Sequence, residues 1–290
     1  MPNAALEPTM RGLFLGRALR RVRNETGTSL EAAAGSLGWH PSKLSRIENG
    51  RQHMPPEDIS PLLKVYGVDE PEVVDGFERL ARDAAKRVGW WQGFSGVLTP
   101  RYADLIALEA EAESVRVYAP LVVPGLLQTA AYARAITNAM VLTRKPEEVA
   151  ALVDVRQARQ AVLSRPNRPL RYGVIIEESV LRRSFRSHPG VMREQLQRLL
   201  DAAAKPNITI QVLPLDADPH PGCAGGFDLV AFSPPMPSQI VELETLRGSS
   251  YVDDPEHAKL WDVAWRDIAE AALTVNESAV LIRQLREGST

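Results

Sequence analysis

Residues 28–50, TSLEAAAGSLGWHPSKLSRIENG, constrain this chain more tightly than any other stretch. Thr28 and Ser29 each offer an oxygen to the free N–H groups of a helix start. Ala33, Ala34 and Leu37 make the inner face of the short helix that follows, and three consecutive alanines let another helix come close. Gly38 stands at a turn that needs a residue tolerant of positive φ. Pro41 suits the first position of the next helix, where its missing N–H has no partner to lose. Leu44 and Ile47 then point inward, so Ser42, Lys43, Ser45 and Arg46 face outward, and Gly50 ends the helix. The stretch therefore reads as two short helices joined by a tight turn, the second with a basic, polar outer face.

Its neighbours are also helical. Residues 13–26 carry Leu15, Leu19 and Val22 on one face, with Arg17, Arg20, Arg21 and Arg23 off that stripe and Gly27 as the stop. A fourth helix is expected over 56–66, with Ile59, Leu62, Leu63 and Tyr66 apolar, and a fifth over 71–86. Charge sharpens the picture. Residues 1–54 hold eight Lys or Arg against four Glu, a surplus of four that leaves −6 on the rest of a chain whose total is −2. A basic module on an acidic body suits contact with the phosphates of double-stranded DNA, where local charge outweighs the total.

The run LSRIENGRQHMPP, with its Ile-Glu-Asn-Gly exit, resembles the lambda-repressor-like (XRE-type) helix-turn-helix domains over about residues 13–68. The resemblance implies a five-helix domain whose third helix enters the major groove. By motif position it places Pro41, Ser42, Lys43 and Arg46 among the base readers and Arg20, Arg23, Asn49 and Arg51 near phosphates, with Ser29 expected to cover the phosphate contact of the glutamine missing at Leu30. Arg46 is the side chain suited to guanine O6 and N7. Glu48 is expected to pair with a nearby arginine. Leu30 stands where the family often has a bracing glutamine.

The expected architecture is mostly α: a five-helix domain over 1–87, an ordered connector over 88–100, and a larger α+β domain with a small sheet over 101–290. In the connector, Trp90 and Trp91 are expected to be buried between domains, with an aromatic ligand pocket as the alternative. Residues 101–119 read as one helix on which Glu109 and Glu113 share a face that is solvated or paired with arginine. Short β-rich runs at 170–176, 208–213, 226–232 and 239–243 are bounded by turn residues. Helices over 189–203, 255–273 and 276–287 separate or follow them.

This part of the chain is similar to the C-terminal domain of the WhiJ-like actinobacterial regulators. The similarity rests on YAPLVVPGLLQTAAYARAI, the ARQ of 158–160, YGVIIEESVLRR, MREQLQRLL, PNITIQVLP and the run from Glu242 to Leu273. Glu242 stands where that family often has Tyr. The similarity implies a regulator paired with a small partner protein, in an arrangement like an antitoxin and its partner.

Signatures of catalysis are missing: there is no GxxxxGK[ST], HExxH, GxSxG or CxxC. His220 and Cys223 sit three apart in a loop with too few ligands for a metal, and Cys223, the sole cysteine, permits no internal disulfide. The expectation is a non-enzymatic, cytoplasmic DNA-binding regulator without cofactor or metal, a homodimer on an inverted repeat. Two alternatives stay open: a sensor whose large domain holds a small apolar molecule, and an antitoxin-like protein that neutralises a partner and regulates itself.

Overall fold

The computed structural model describes residues 10–85, 90–94, 96–140, 145–233, 239–245, 248–252 and 254–288. The chain divides into two compact units. One comprises residues 1–95, 99–108 and 232–238, the other 96–98, 109–231 and 239–290. By its sequence the N-terminus is expected to fray over residues 1–10; Met10 already belongs to a helix, and residues 1–9, like 86–89, lie outside the described residues.

The first unit is helical: α1 (Met10–Glu25), α2 (Leu30–Ser36), α3 (Pro41–Glu48), α4 (Ile59–Val65) and α5 (Pro71–Ala85). Its core is built from the apolar stripes of these helices. Phe14, Leu15 and Leu19 of α1, Ala33 and Ala34 of α2, Leu44 and Ile47 of α3, Ile59, Leu62 and Leu63 of α4, and Phe77 and Leu80 of α5 are all buried. Phe232 returns to this unit, its ring 6.2 Å from that of Phe14.

α6 (Pro100–Glu111) leads into the second unit, where β1 (Ser114–Ala119) is followed by α7 (Ala130–Met140) and α8 (Pro146–Arg159). Then come β2 (Arg171–Glu177), the single turn α9 (Glu178–Leu181), α10 (Val191–Ala203) and β3 (Ile208–Leu213). The chain closes with β4 (Phe227–Ala231), β5 (Gln239–Thr245), β6 (Gly248–Val252), α11 (Pro255–Ala271) and α12 (Val275–Gly288). Among the described residues the strands form one sheet in the order β3-β2-β1-β4-β5-β6. β1, β2 and β3 run parallel; β4, β5 and β6 pair antiparallel.

One expectation is corrected here. Residues 101–119 are not a single helix: α6 stops at Glu111 and Ser114–Ala119 is a strand in the middle of the sheet. The alternation of SVRVYA explains it. Val115 and Val117 face one side, while Arg116 and Tyr118 face the other, which is the period of a strand. Tyr118 joins Ile175, Leu213, Phe227, Leu229 and Val241 on the face that α11 covers with Ala258, Trp265 and Ile268. The edge strand β3 is protected by the start of α12. Val212 N–H donates to Ser278 Oγ at 2.9 Å, and Leu273 N–H to the Val212 carbonyl at 2.9 Å.

Candidate nucleic-acid interface

α3 is held from behind by three features. The first is close approach to α1: a Cβ on Gly16 would lie 2.4 Å from the Ile47 carbonyl oxygen, so only glycine lets the helices meet there. The second is an ion pair. Arg23 Nε and Nη2 donate to the two carboxylate oxygens of Glu48 at 2.7 and 2.9 Å, with both residues buried. The third is the exit. Gly50 adopts φ +66° against the backbone of Leu13, where a Cβ would fall 2.8 Å from Leu13 N. Each residue of the Ile-Glu-Asn-Gly exit thus has a separate physical role. Ile47 is buried, Glu48 binds Arg23, Asn49 donates to the Ser45 carbonyl at 2.7 Å, and Gly50 turns the chain.

The predicted pairing of Glu48 with an arginine is found, and it redefines Arg23. That residue, expected at a phosphate, is buried, and it also donates to the Thr28 carbonyl at 3.0 Å. A guanidinium closed in this way supports the fold and does not face solvent. Tyr66 closes the same cluster, and burial pushes its phenol far above the usual range.

The outer face of α3 is arranged as follows. His40 caps the helix: its Nδ1 accepts the Ser42 N–H at 3.3 Å, ahead of Pro41 in the first turn. Ser42 and Arg46 are exposed. Lys43 lies 3.6 Å above the Trp39 ring and 3.6 Å from Asp58 Oδ2. Ser29 caps α2, accepting the Ala32 N–H at 3.1 Å, and keeps its own hydroxyl hydrogen to donate. Arg20 and Arg51 are exposed, as is Asn49. Trp39, His40, Gly16 and Gln52 do not stand out in the sequence. The cap at His40 carries a weak signal, since histidine before Pro is an uncommon helix start.

Trp90 and Trp91 lie on a short 3-10 turn of the first unit. Trp90 is 46% exposed, and its ring meets Trp91 and Phe94 edge to face at 6.0 and 6.4 Å. Trp91 is half-buried. The aromatics pack on one another along this turn.

Several polar residues of the second unit are buried and paired. Glu109 and Arg159 form a buried two-bond ion pair at 2.9 and 2.5 Å. Glu113, beyond the end of α6, pairs instead with Arg168 and Arg171. Gln128 and Gln195 satisfy the loop between β1 and α7. Gln128 donates to the Val123 carbonyl at 2.7 Å, while Gln195 accepts the Thr129 N–H and donates to the Leu127 carbonyl, both at 2.8 Å. Gln160 of the ARQ run donates to the Gln128 carbonyl at 2.6 Å. These residues hold a fold together.

Glu242 lies directly opposite Asp228 on neighbouring strands. One of its oxygens accepts the Ser249 hydroxyl at 2.5 Å and the other is buried without a partner. Burial raises its pKa to about 7, and burial with the nearby Glu242 raises that of Asp228.

An open cleft of about 640 Å³ is lined by Arg193, Arg198 and Arg286 with Glu194, Asp201 and Glu287. His220 is not in a free loop: its ring packs edge to face on Tyr118 at 5.9 Å and lies 3.7 Å from Glu177, while Cys223 is exposed. Among the described residues no group of three or more potential ligands surrounds a metal position, and no helix is long and apolar enough to cross a membrane.

Residues 102–284, well over half of the chain, match the family described as a domain of unknown function (DUF5753). The chain belongs to the DUF5753 family. Residues 15–75, from within α1 to the start of α5, match a helix-turn-helix domain. Neither the curated proteins nor the solved structures contain a match to this DUF5753 chain. A helix-turn-helix domain supports a DNA-binding regulator as the function of the whole.

Proposed function

We propose that the chain is a sequence-specific transcription regulator that reads DNA through α3 and is not an enzyme. One observation carries this reading: the outer face of α3 presents Ser42 and Arg46 to solvent while its inner face is fixed to α1 by Gly16, Gly50 and the Arg23–Glu48 pair. A rigid helix with an exposed arginine is the device that major-groove recognition needs. In this reading residues 1–87 bind DNA. Residues 101–290 serve dimerisation on an inverted repeat, and by the similarity to WhiJ-like regulators they receive a small partner protein.

Selection from a pool of random duplexes, using the full chain, tests the proposal. The expected outcome is an enriched motif with two symmetric halves, because one module rarely gives enough specificity alone. A pool that drifts without enrichment sinks the DNA reading; a single unsymmetric half sinks the dimer. Purification from the native cell tests the antitoxin-like reading: that reading requires a stoichiometric partner, and its absence sinks it.

A further inference from the structure

Arginine carries five N–H donors. Two of the donor groups of Arg46 are already engaged on the exposed face of α3. Nε donates to Gln52 Oε1 at 3.0 Å, and Nη1 donates to Ser42 Oγ at 3.2 Å. The Ser42 hydroxyl in turn lies 2.8 Å from His40 Nδ1, the atom that also accepts the Ser42 N–H. An acceptor at Nδ1 means that the serine hydrogen points to His40, which leaves Ser42 Oγ free to accept from Arg46.

Gln52 comes from outside the helix. It stands two residues after Gly50, whose φ of +66° and contact with Leu13 fix where the chain leaves α3. The guanidinium is therefore gripped from two sides, by one turn of its own helix and by the exit loop. With Nε and one hydrogen of Nη1 occupied, one hydrogen on Nη1 and both on Nη2 remain. These present two parallel donors at the tip, the pattern that matches O6 and N7 of guanine. Lys43 is held differently, over Trp39 and beside Asp58, and does not share this arrangement.

We propose that Gln52 is a positioning residue for base readout, holding the Arg46 guanidinium with Ser42 before DNA arrives so that its tip faces guanine. The inference rests on the DNA-binding reading above. It assigns specificity to a residue beyond the recognition helix, and it makes preorganisation the source of the gain, since an arginine already held loses less freedom on binding.

The test uses the full-length protein as wild type, Gln52→Ala, Gln52→Glu, Arg46→Ala and the double variant Arg46→Ala/Gln52→Ala. Each is taken through random-duplex selection and then measured on the selected site and its single-base variants. Wild type is expected to enrich guanine at one position per half-site. Gln52→Ala should weaken that preference by about three- to tenfold, with unchanged affinity for random duplex and an unchanged salt slope. Gln52→Glu retains an acceptor and should keep the preference. Gln52→Ala should add nothing in the Arg46→Ala background.

An unchanged guanine preference in Gln52→Ala overturns the inference. So does an additive loss in the double variant, or a preference that changes at a second base pair, which would make Gln52 a reader itself. If wild type enriches no motif at all, the DNA-binding reading fails and takes the inference with it.

Discussion

Arg23–Glu48 in the first unit and Glu109–Arg159 in the second are the same chemical object, a buried two-bond ion pair, in opposite settings. Arg23 and Glu48 are 25 residues apart and join two helices of one small bundle. Glu109 and Arg159 are 50 residues apart and lie beside a sheet whose strands come from all along the second unit. In the first unit the pair stands behind a face that otherwise stays polar and open. In the second it belongs to a set of inward polar groups that satisfy a loop and a sheet. One arrangement backs an exposed helix face; the other makes an interior.

The largest expected effect tests whether the two pairs are equivalent. Glu48→Ala leaves Arg23 buried without a counter-charge, and Glu109→Ala does the same to Arg159. Each should destabilise its unit by about 3–5 kcal/mol in denaturant unfolding. A cost below about 1 kcal/mol for Glu48→Ala would place that pair with ordinary surface bridges and end the comparison.

Arg46→Ala removes the exposed counterpart of these buried arginines. It should leave unfolding unchanged and weaken binding to the selected operator by about 1–3 kcal/mol, with specificity relaxed at one base pair per half-site. Unaltered affinity together with unaltered base preference would show that Arg46 does not read DNA.

The inward polar groups of the second unit predict a pH dependence. Glu242 has a pKa raised from 4.5 to about 7 by burial, so the folded chain keeps a proton that the unfolded chain releases in that window. Stability should therefore fall as pH rises from 4.5 to about 7 and stay lower above it. Glu242→Gln should flatten this trend, gaining on the order of 1 kcal/mol above neutral pH and nothing below 4.5. Melting curves across this range that are parallel for the two proteins would refute it.

The smallest effect is Arg20→Ala or Arg51→Ala. Each should reduce affinity for all duplexes alike and lower the slope of log K against log salt by about 1. A loss confined to one sequence would turn that arginine into a base reader.

Most of the first unit is legible in the amino-acid string. Its helices announce themselves within one or two turns, through the Leu15–Leu19–Val22 stripe, the Pro41 start and the Gly38 and Gly50 stops. The strands are harder. Ile208–Leu213 stands out by its own residues and is β3. Ser114–Ala119 follows a run of Ala, Leu and Glu that favours helix, so its neighbours mask it. What makes it a strand is pairing with segments far along the chain, Tyr118 lying opposite Ile175 of β2 and Phe227 of β4. β6, Gly248–Val252, has too few β-formers to announce itself and takes its place from β5.

By itself the sequence determined where helices start and stop in residues 10–85, which residues face outward on α3, and that the basic charge is gathered near them. These are local matters of period, cap and glycine, settled within a few residues. Only the tertiary structure decided which arginine is buried and which is open, because Arg23 and Arg46 look alike in a string. The difference lies in a carboxylate: Glu48 closes on Arg23 from the end of α3, while Arg46 finds Ser42 and Gln52 at the surface.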